Sequence, residues 1–364
     1  MVNVIPANIS WWRIDFSDAD IEKVTDAIRN ENISMGKVTE EFEQRMAEAL
    51  EVPYVVATTS GSVALLITLM ALGIKAGDEV IVPNRTWIAT AHAPMMLGAK
   101  PVLVDVMQER PVMDTSKIRE KINSRTRAII SVSLCGCAVN MEEVWQVARD
   151  HDLFVVEDVA QGLFSKYQGE YMGTRSDAGC FSMAISKLVS TGQGGFVATK
   201  KKELYKLMQL IRTHGVKDVT SASPFLRMGF NFRYTDLHAS LGLVQLAKVQ
   251  ERIDNLKIIY SKYREALKKI EWLKLVPVHV EKGEIPLYVE VLVKERENLV
   301  QHLASRNIQT RPIYPDLDTA KHLDCRDDFP NTRVFGKEGL VLPCGPDQSM
   351  ENVERVLREL EQYG

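Results

Sequence analysis

Short apolar runs alternate with helical stretches through the first two thirds of the chain. The runs are rich in Val, Ile and Leu and are continuous, as expected for strands that are buried on both faces of a parallel sheet. The predicted strands are Tyr54–Thr58, Glu79–Pro83, Pro101–Asp105, Ala128–Val132, Leu153–Val156 and Gly194–Thr199. The predicted helices are Val63–Leu72, Thr86–Leu97, Ser116–Ile122, Met141–Asp150 and Lys202–Thr213. This rhythm predicts an α/β domain with a mostly parallel sheet covered by helices.

The pattern changes after a long helical stretch, Leu237–Ile259. With 364 residues, the chain is long enough for two domains. We predict a large domain over residues 1–245, with an N-terminal arm and helices at 18–29 and 39–50, and a smaller α+β C-terminal domain over residues 246–364. The elements predicted for the small domain are helices Tyr260–Ile270, Glu295–Ser305 and Ser349–Tyr363 and strands Leu273–Val280, Leu287–Val293 and Ile308–Ile313.

Bulk properties argue against several classes of protein. The formal net charge of −3 speaks against a nucleic-acid-binding surface. No run approaches the ~20 apolar residues of a membrane span, and no basic segment followed by an apolar one marks a signal peptide. The five scattered cysteines are typical of free thiols in a reducing compartment, so we expect a cytoplasmic protein without nucleic-acid or membrane partners. The close pair Cys135 and Cys137 is a weak signal, and we predict no metal site.

The stretch from Leu153 to Phe196 carries the residues that point to chemistry. Asp158 follows a predicted buried strand, and ligands of open α/β sheets bind outside the carboxyl ends of strands. Lys187 comes later, among mostly uncharged residues, and is followed by the flexible sequence Thr191-Gly192-Gln193-Gly194-Gly195. A lysine that can attach a cofactor covalently, together with an acid that keeps a ring nitrogen protonated, indicates pyridoxal 5′-phosphate.

A second candidate site precedes the apolar helix predicted at Val63–Leu72. The polar turn Thr59-Ser60-Gly61-Ser62 leads from a strand into this helix, and backbone N–H groups at a helix start favour an anion. A plain serine-capped helix explains the same turn equally well. The chain lacks the G-x-x-x-x-G-K-[ST] and G-x-G-x-x-G nucleotide-binding motifs, the H-E-x-x-H zinc motif and the G-x-S-x-G nucleophile motif.

Taken in order, short phrases of the chain resemble one family, the DegT/StrS sugar aminotransferases, which are fold-type I pyridoxal phosphate enzymes. Each phrase is weak alone, whereas their order and spacing over nearly the whole chain are specific. The phrases are Gly36-Lys37-Val38-Thr39-Glu40-Glu41-Phe42-Glu43, Ser60-Gly61-Ser62-Val63-Ala64-Leu65, Glu157-Asp158-Val159-Ala160-Gln161, Gly173-Thr174, Phe181-Ser182 with Lys187, Gly192-Gln193-Gly194-Gly195, His214-Gly215, Gly229-Phe230-Asn231-Phe232-Arg233 and Leu342-Pro343.

The resemblance implies a role for each matching residue. Lys187 would bind the cofactor covalently and later transfer the substrate proton, and Asp158 would pair with the pyridinium nitrogen. Gln161 would lie near the 3′ oxygen of the ring, and Trp87 would stack on the ring. The residues expected to hold the phosphate are Gly61, Ser62 and Ser182.

Asn231 has a special place in the resemblance, because the equivalent asparagine of the family reaches the phosphate from the neighbouring subunit. The resemblance therefore implies a homodimer with shared active sites. It also implies an amino-acid donor, with L-glutamate expected, and a nucleotide-linked keto-sugar as acceptor.

Three other activities compete with transamination. A sugar dehydratase of the same family would have a histidine where Lys187 stands, and a cysteine desulfurase would need a histidine over the ring and a mobile reactive cysteine. A cofactor-binding regulator without turnover would need an appended DNA-binding segment, which is not visible. Two phrases depart from the family, Ser133-Leu134-Cys135-Gly136 and Asp316-Leu317-Asp318. Both are expected near the sugar, so the identity of the sugar stays open, as does the choice between a keto-sugar and a cyclitol ketone as acceptor.

Overall fold

The computed structural model describes residues 8–222 and 224–363, and within them the largest sheet has seven strands in the order β1-β9-β8-β5-β4-β2-β3. Its neighbours β2–β3, β2–β4, β4–β5 and β5–β8 are parallel, whereas β9 runs antiparallel to both β1 and β8. A separate hairpin is formed by β6 and β7. The strands are β1 Tyr54–Thr58, β2 Glu79–Pro83, β3 Lys100–Val104, β4 Thr126–Val132, β5 Phe154–Asp158, β6 Lys166–Tyr167, β7 Glu170–Tyr171, β8 Ala178–Ser182 and β9 Gly195–Thr199.

Helices cover both faces of this sheet. Side chains alternate between the faces, so that Ile81 and Val155 belong to one buried cluster while Val80 and Val156 belong to the other. The first cluster includes residues of α2, α5 and α7, and the second includes residues of α3, α4 and α6. The helices are α1 Asp18–Arg29, α2 Lys37–Ala49, α3 Gly61–Ala71, α4 Ala89–Met96, α5 Met141–His151, α6 Lys202–Arg212, α7 Asp236–Ala247, α8 Val249–Leu267, α9 Arg296–Ser305, α10 Pro330–Glu338 and α11 Met350–Tyr363.

A smaller sheet follows in the described part of the chain, with four antiparallel strands in the order β10-β11-β13-β12. Helix α11 packs on α8 and α9 beside it. The strands are β10 Leu273–Leu275, β11 Val289–Val293, β12 Arg311–Pro312 and β13 Gly339–Leu342. The N-terminal arm lies against this part of the molecule, because Ile9 pairs with Ile308 and Trp12 pairs with Cys344.

The predicted α/β class, with a mostly parallel sheet and a second, smaller sheet, is confirmed. Several local predictions are wrong. The long helix predicted over Leu237–Ile259 is two helices that meet at Lys248, where ψ is 1° instead of a helical value. The helix predicted over Ser116–Ile122 is two one-turn 3-10 helices, and β8, α10 and β13 were not predicted as elements.

Candidate active site

A cavity of about 310 Å³ lies at the carboxyl edge of the large sheet, where β5 and β8 end and α3 begins. This is the edge at which open α/β sheets bind their ligands. Seven of the eight predicted site residues line it, namely Gly61, Ser62, Trp87, Asp158, Gln161, Ser182 and Lys187. The eighth, Asn231, does not line this cavity. Residues that are far apart in the sequence thus line the same cavity.

Asp158 ends β5 and is held by two hydrogen bonds. The Thr90 hydroxyl donates to Oδ2 at 2.8 Å, and the Ala160 N–H donates to Oδ1 at 3.2 Å. Thr90 is in turn 2.9 Å from the hydroxyl of Thr86. Burial raises the pKa of the Asp158 carboxyl above its ordinary value, while Thr90, Ala160 and the charge of Lys187 oppose the rise. The carboxylate is therefore fixed in place and poised to accept a positively charged partner.

Lys187 lies in the loop after β8 and is half-buried in the same cavity. Burial lowers the pKa of its amine from 10.5 to about 8. The Asp158 carboxylate opposes this shift, and Arg311 adds to it. The amine lies 5.9 Å from the centre of the Tyr288 ring. A lysine with this depressed pKa is neutral far more often near pH 8 than an exposed lysine, which is what a nucleophilic amine needs.

The start of α3 approaches β8 so closely that only glycine fits at position 61. A Cβ there would lie 2.9 Å from the Cβ of Ser182 and 3.3 Å from the Phe181 carbonyl oxygen. Ser60 caps the helix, its hydroxyl accepting the Val63 N–H at 3.2 Å. Residues at this helix start and Ser182 line one cavity, an arrangement suited to binding a phosphate group.

Trp87 and Gln161 both contact Tyr314. The Trp87 ring is 50% exposed and meets the Tyr314 ring edge-on, with centroids 5.5 Å apart. The Gln161 amide donates to the Tyr314 hydroxyl at 3.2 Å, and its oxygen accepts the Cys135 N–H at 2.9 Å. Tyr314 therefore positions two predicted cofactor contacts, and it was not among the residues predicted from the sequence.

A buried ion pair supports the loop that carries Trp87. The Arg85 guanidinium donates to Glu290 of β11 at 2.6 Å, and both side chains are 1% exposed. The second oxygen of Glu290 accepts the Cys135 thiol at 3.5 Å. The pair thus ties the cavity wall to the small sheet. Arg85 and Glu290 were not predicted from the sequence, where the only local signal is a charged residue two positions after the end of β2.

The two phrases that depart from the family pattern have clear structural roles. Asp318 accepts hydrogen bonds from Asn84 at 2.9 Å and from Arg333 at 2.8 Å. Asp316 is buried beside Arg85, and burial raises the pKa of its carboxyl to about 6. In the other phrase, Leu134 lines the cavity and Cys135 makes the contacts to Gln161 and Glu290. The aspartates therefore bind protein groups that flank the cavity.

Asn231 is exposed and pairs with Thr213 outside the cavity of its own chain. Its side-chain oxygen accepts the Arg233 Nε–H at 2.8 Å. Large apolar side chains beside it are also exposed, 81% for Phe225, 71% for Met228 and 53% for Phe230. Within one chain, the structure does not bring Asn231 to the other predicted residues.

Residues 15–361 match the model of the DegT/DnrJ/EryC1/StrS aminotransferase family. The chain belongs to this family. It is 35% identical over 337 residues to GDP-perosamine synthase of Escherichia coli O157:H7, with 91% of each chain covered. It is 33% identical over 334 residues to dTDP-3-amino-3,6-dideoxy-alpha-D-galactopyranose transaminase of Aneurinibacillus thermoaerophilus, again with 91% of each chain covered. The predicted family is therefore confirmed, and the protein is a transaminase.

Solved structures agree with this assignment. Spr1654 of Streptococcus pneumoniae, described as a sugar aminotransferase, superposes in its PLP form with a TM-score of 0.92 at 26% identity, covering 98% of both chains. A PMP form of the same protein matches equally well. Aminotransferases of this family depend on pyridoxal 5′-phosphate, and this is the cofactor of the present protein. Its cavity fits that group, since it has an amine of lowered pKa, a buried carboxylate and a start of α3 that approaches β8 too closely to leave room for a Cβ at position 61.

The remaining features are structural observations. Over residues 8–222 and 224–363, no helix has both the length and the apolar character needed to cross a membrane. All five cysteines are free thiols, and Cys135, Cys137, Cys180 and Cys344 are buried. In the same residues, no cluster of three or more potential metal ligands occurs.

Proposed function

We propose that the protein moves an amino group from an L-amino acid, with L-glutamate as the expected donor, to the ketone of a nucleotide-linked sugar. The observation that carries this proposal is that Lys187, Asp158 and the start of α3 face one cavity. Curated relatives add support, because two of them bear names of enzymes that act on nucleotide-linked amino sugars, one with GDP and one with dTDP. Five free thiols favour the cytoplasm as the place of this reaction.

In the proposed mechanism, Asp158 and Lys187 have separate roles. Pyridoxal phosphate, when bound, supplies an electron sink that stabilises negative charge on the substrate carbon. Asp158 would hold the ring-nitrogen proton, and Thr90 orients its carboxylate for that task. Lys187 would anchor the cofactor and, once the substrate amine has replaced it, Nζ would accept and return the proton of the substrate carbon. Trp87 and Gln161 would fix the plane of the ring.

We further propose that the working form is a homodimer. Exposed apolar side chains at Phe225, Leu226, Met228 and Phe230 form a patch beside Asn231. Contiguous exposed apolar surface of this kind often marks a protein–protein interface. A second copy of the chain would cover the patch and could bring Asn231 to the phosphate site of its neighbour.

A screen of acceptors tests the proposed activity. The holoenzyme is incubated with L-glutamate and a panel of GDP- and dTDP-linked 3-keto and 4-keto sugars, and products are analysed by mass spectrometry. We expect amination of at least one sugar, with 2-oxoglutarate formed in equal amount. Lys187→Ala is the matched control and should give no product. Amination of free cyclitol ketones but of no nucleotide-linked sugar would contradict the proposed acceptor class.

A further inference from the structure

Lys187 is the last residue of a tight turn. Its backbone N–H donates to the Ala184 carbonyl at 3.0 Å, so residues 184–187 form a β-turn with Ile185 and Ser186 in the central positions. The turn lies between β8 and β9, and the Ile185 side chain is 54% exposed. Burial of that side chain therefore does not fix the turn, and other contacts set the direction in which the lysine side chain leaves the backbone.

Two aromatic side chains bind this turn from distant parts of the sequence. The Trp12 indole N–H donates to the Ile185 carbonyl at 3.1 Å, across 173 residues of sequence. The Tyr288 hydroxyl donates to the Ser186 carbonyl at 2.9 Å, across 102 residues. Each of the two central carbonyls of the turn thus accepts a hydrogen bond from a side chain, directly before Lys187.

The two aromatic side chains are themselves held in place. Trp12 and Tyr288 are each 7% exposed, and their rings meet edge-on with centroids 5.4 Å apart. The N-terminal arm is bonded to the backbone of Cys344 on both sides of Trp12. The Arg13 N–H donates to the Cys344 carbonyl at 3.0 Å, and the Cys344 N–H donates to the Trp11 carbonyl at 2.9 Å. Because Tyr288 directly precedes β11, the arm and the small sheet hold the turn together.

We infer that Trp12 and Tyr288 are positioning residues, which hold the turn before Lys187 so that its amine keeps its place in the cavity. The inference rests on the proposed function, in which this amine binds the cofactor and transfers the substrate proton. Both residues act through the backbone of the turn, and neither transfers a proton. Position matters for the reaction, because an error of about 1 Å in a reacting group can lower a rate by about 100-fold.

The first test measures the Lys187 amine in the full-length protein without cofactor. Acetic anhydride modifies only neutral amines, and mass spectrometry of the peptide that contains Lys187 gives the rate of modification at each pH. The wild type should show a midpoint near pH 8, because burial lowers the pKa of this lysine to about 8. In Trp12→Phe and in Tyr288→Phe, a loosened turn admits water to the amine, so the midpoint should rise toward the ordinary pKa of 10.5.

A raised midpoint would report exposure of the amine, because neither substitution changes a charge near it. The other groups that act on the pKa of the lysine are Asp158, Arg311 and Cys135, and all three remain in both variants. Burial raises the pKa of the Tyr288 hydroxyl, so this side chain is neutral near pH 8 and its replacement removes no charge there. Trp12→Phe keeps an aromatic ring and removes the N–H donor.

Turnover of the holoenzyme gives a second readout. A hydrogen bond between neutral groups is worth roughly 2- to 10-fold in an equilibrium or a rate. We expect each single variant to lose about this factor in kcat while KM for L-glutamate changes less than about twofold, because the lysine amine acts in the transition state. The double variant Trp12→Phe/Tyr288→Phe should lose more than either single variant, since both side chains hold the same turn.

Trp145→Phe and Tyr260→Phe are the matched controls, because they remove the same kinds of donor outside the cavity. The Trp145 indole donates to the Ser176 hydroxyl at 2.8 Å. The Tyr260 hydroxyl donates to the Val276 carbonyl at 3.2 Å. Both control variants should lower the melting temperature while the modification midpoint of Lys187 and kcat stay at their wild-type values.

Two results would overturn the inference. If Trp12→Phe and Tyr288→Phe lowered the melting temperature but kept the wild-type midpoint and kcat, these contacts would serve the stability of the fold alone. Equal changes in the two control variants would show a general effect of lost hydrogen bonds. Failure of the proposed function would look different, because Lys187→Ala would then still show the visible absorbance of covalently bound cofactor and would still turn over.

Discussion

At Lys187, burial and a neighbouring charge act in opposite directions on one amine. Burial favours the neutral form, and the Asp158 carboxylate favours the charged form. Burial has the larger effect, which leaves the pKa at about 8. At pH 7.5, an amine with this pKa is about one quarter neutral, compared with about 0.1% for a pKa of 10.5. In the proposed mechanism, this neutral fraction would let the lysine attack the cofactor aldehyde.

This shift predicts how cofactor attachment depends on pH. When cofactor is mixed with the cofactor-free protein, the rate at which the bound visible absorbance develops should rise through about pH 8 and level off above it, because only the neutral amine attacks. In Asp158→Asn the midpoint should move below 8, since the carboxylate that raises the lysine pKa is lost. Lys187→Ala should give no covalent signal. A wild-type midpoint near 10.5 would contradict the prediction.

Asp158→Asn should also separate cofactor binding from turnover. The neutral amide keeps the shape of the side chain but no longer favours a protonated ring nitrogen. An opposite charge within ~4–6 Å moves a pKa by roughly 1–3 units, and each unit is worth about 1.4 kcal/mol. We expect bound cofactor by absorbance and a turnover lower by at least about tenfold. Thr90→Val, which removes the hydrogen bond at 2.8 Å but keeps the charge, should lose less. A nearly unchanged rate in Asp158→Asn would place the acid elsewhere.

At the scale of elements, the sequence predicts those strands whose own residues form a continuous apolar run, because such a run indicates burial. Runs such as Glu79–Pro83 are continuous and apolar, and β2 has the predicted bounds. The sequence Ala178–Ser182 of β8 has weak strand propensity, and it becomes a strand because β5 and β9 pair with it. A Cβ at Gly179 would lie 2.3 Å from the Gly173 carbonyl oxygen, so glycine is needed here because the chain six residues earlier packs against it.

The residues of the site also fall into those that the sequence predicts and those that it does not. Asp158 and Lys187 could be predicted because the residues next to each of them are informative. Asp158 follows an apolar run, and Lys187 lies among mostly uncharged residues. Arg85 and Glu290 are 205 residues apart, and Gln161 and Tyr314 are 153 apart. No local pattern encodes such pairs, because tertiary packing alone brings them together. Arg311, which lines the same cavity and adds to the lowered pKa of Lys187, was not predicted for the same reason.

The start of α3 provides a prediction at this scale. Gly61→Ala would push the helix start away from β8, because the new Cβ would lie 2.9 Å from Ser182 Cβ. Overpacking of this kind costs roughly 1–3 kcal/mol. If the displaced N–H groups hold the phosphate, the dissociation constant of the cofactor should rise by about tenfold, as measured by equilibrium dialysis.

Gly77→Ala serves as the control for this prediction. Gly77 has φ +90° and open space around its Cβ position, so alanine there strains the backbone without touching the cavity. It should lower the melting temperature and leave cofactor affinity unchanged. Equal affinity losses in both variants would mean that Gly61 acts through general stability.

At the scale of the whole molecule, one of the predicted site residues lies apart from the others within one chain. Seven predicted residues share the cavity, while Asn231 lies outside it next to exposed Phe230 and Met228. A short backbone pairing with Thr213 and a side-chain bond to Arg233 hold Asn231 in place. These two contacts fix the conformation of the segment around Asn231, which favours a role at an interface over a role as a simple turn residue.

Mixed dimers test whether this asparagine completes a neighbouring site. Subunits with Lys187→Ala are combined with subunits with Asn231→Ala under conditions that allow exchange. If sites are shared, a mixed dimer has one site with both lesions and one site with neither, so the activity of the mixture should exceed that of either parent. Random exchange makes about half of the dimers mixed, and each mixed dimer has one intact site out of two. The mixture should therefore recover about one quarter of wild-type activity, beyond any residual activity of the Asn231→Ala parent.

The control pairs Lys187→Ala with Asp158→Asn, two lesions that both lie in the cavity of one chain. If Lys187 and Asp158 act within the same chain, each site of this mixed dimer carries one lesion, and no activity should return. Exchange is verified by mass spectrometry of differently tagged subunits. Lack of recovery in the Asn231 mixture, despite verified exchange and a clear defect in Asn231→Ala alone, would mean that each chain builds its own site. In that case Asn231 would act through the segment that it shares with Arg233, and the exposed patch would need another partner.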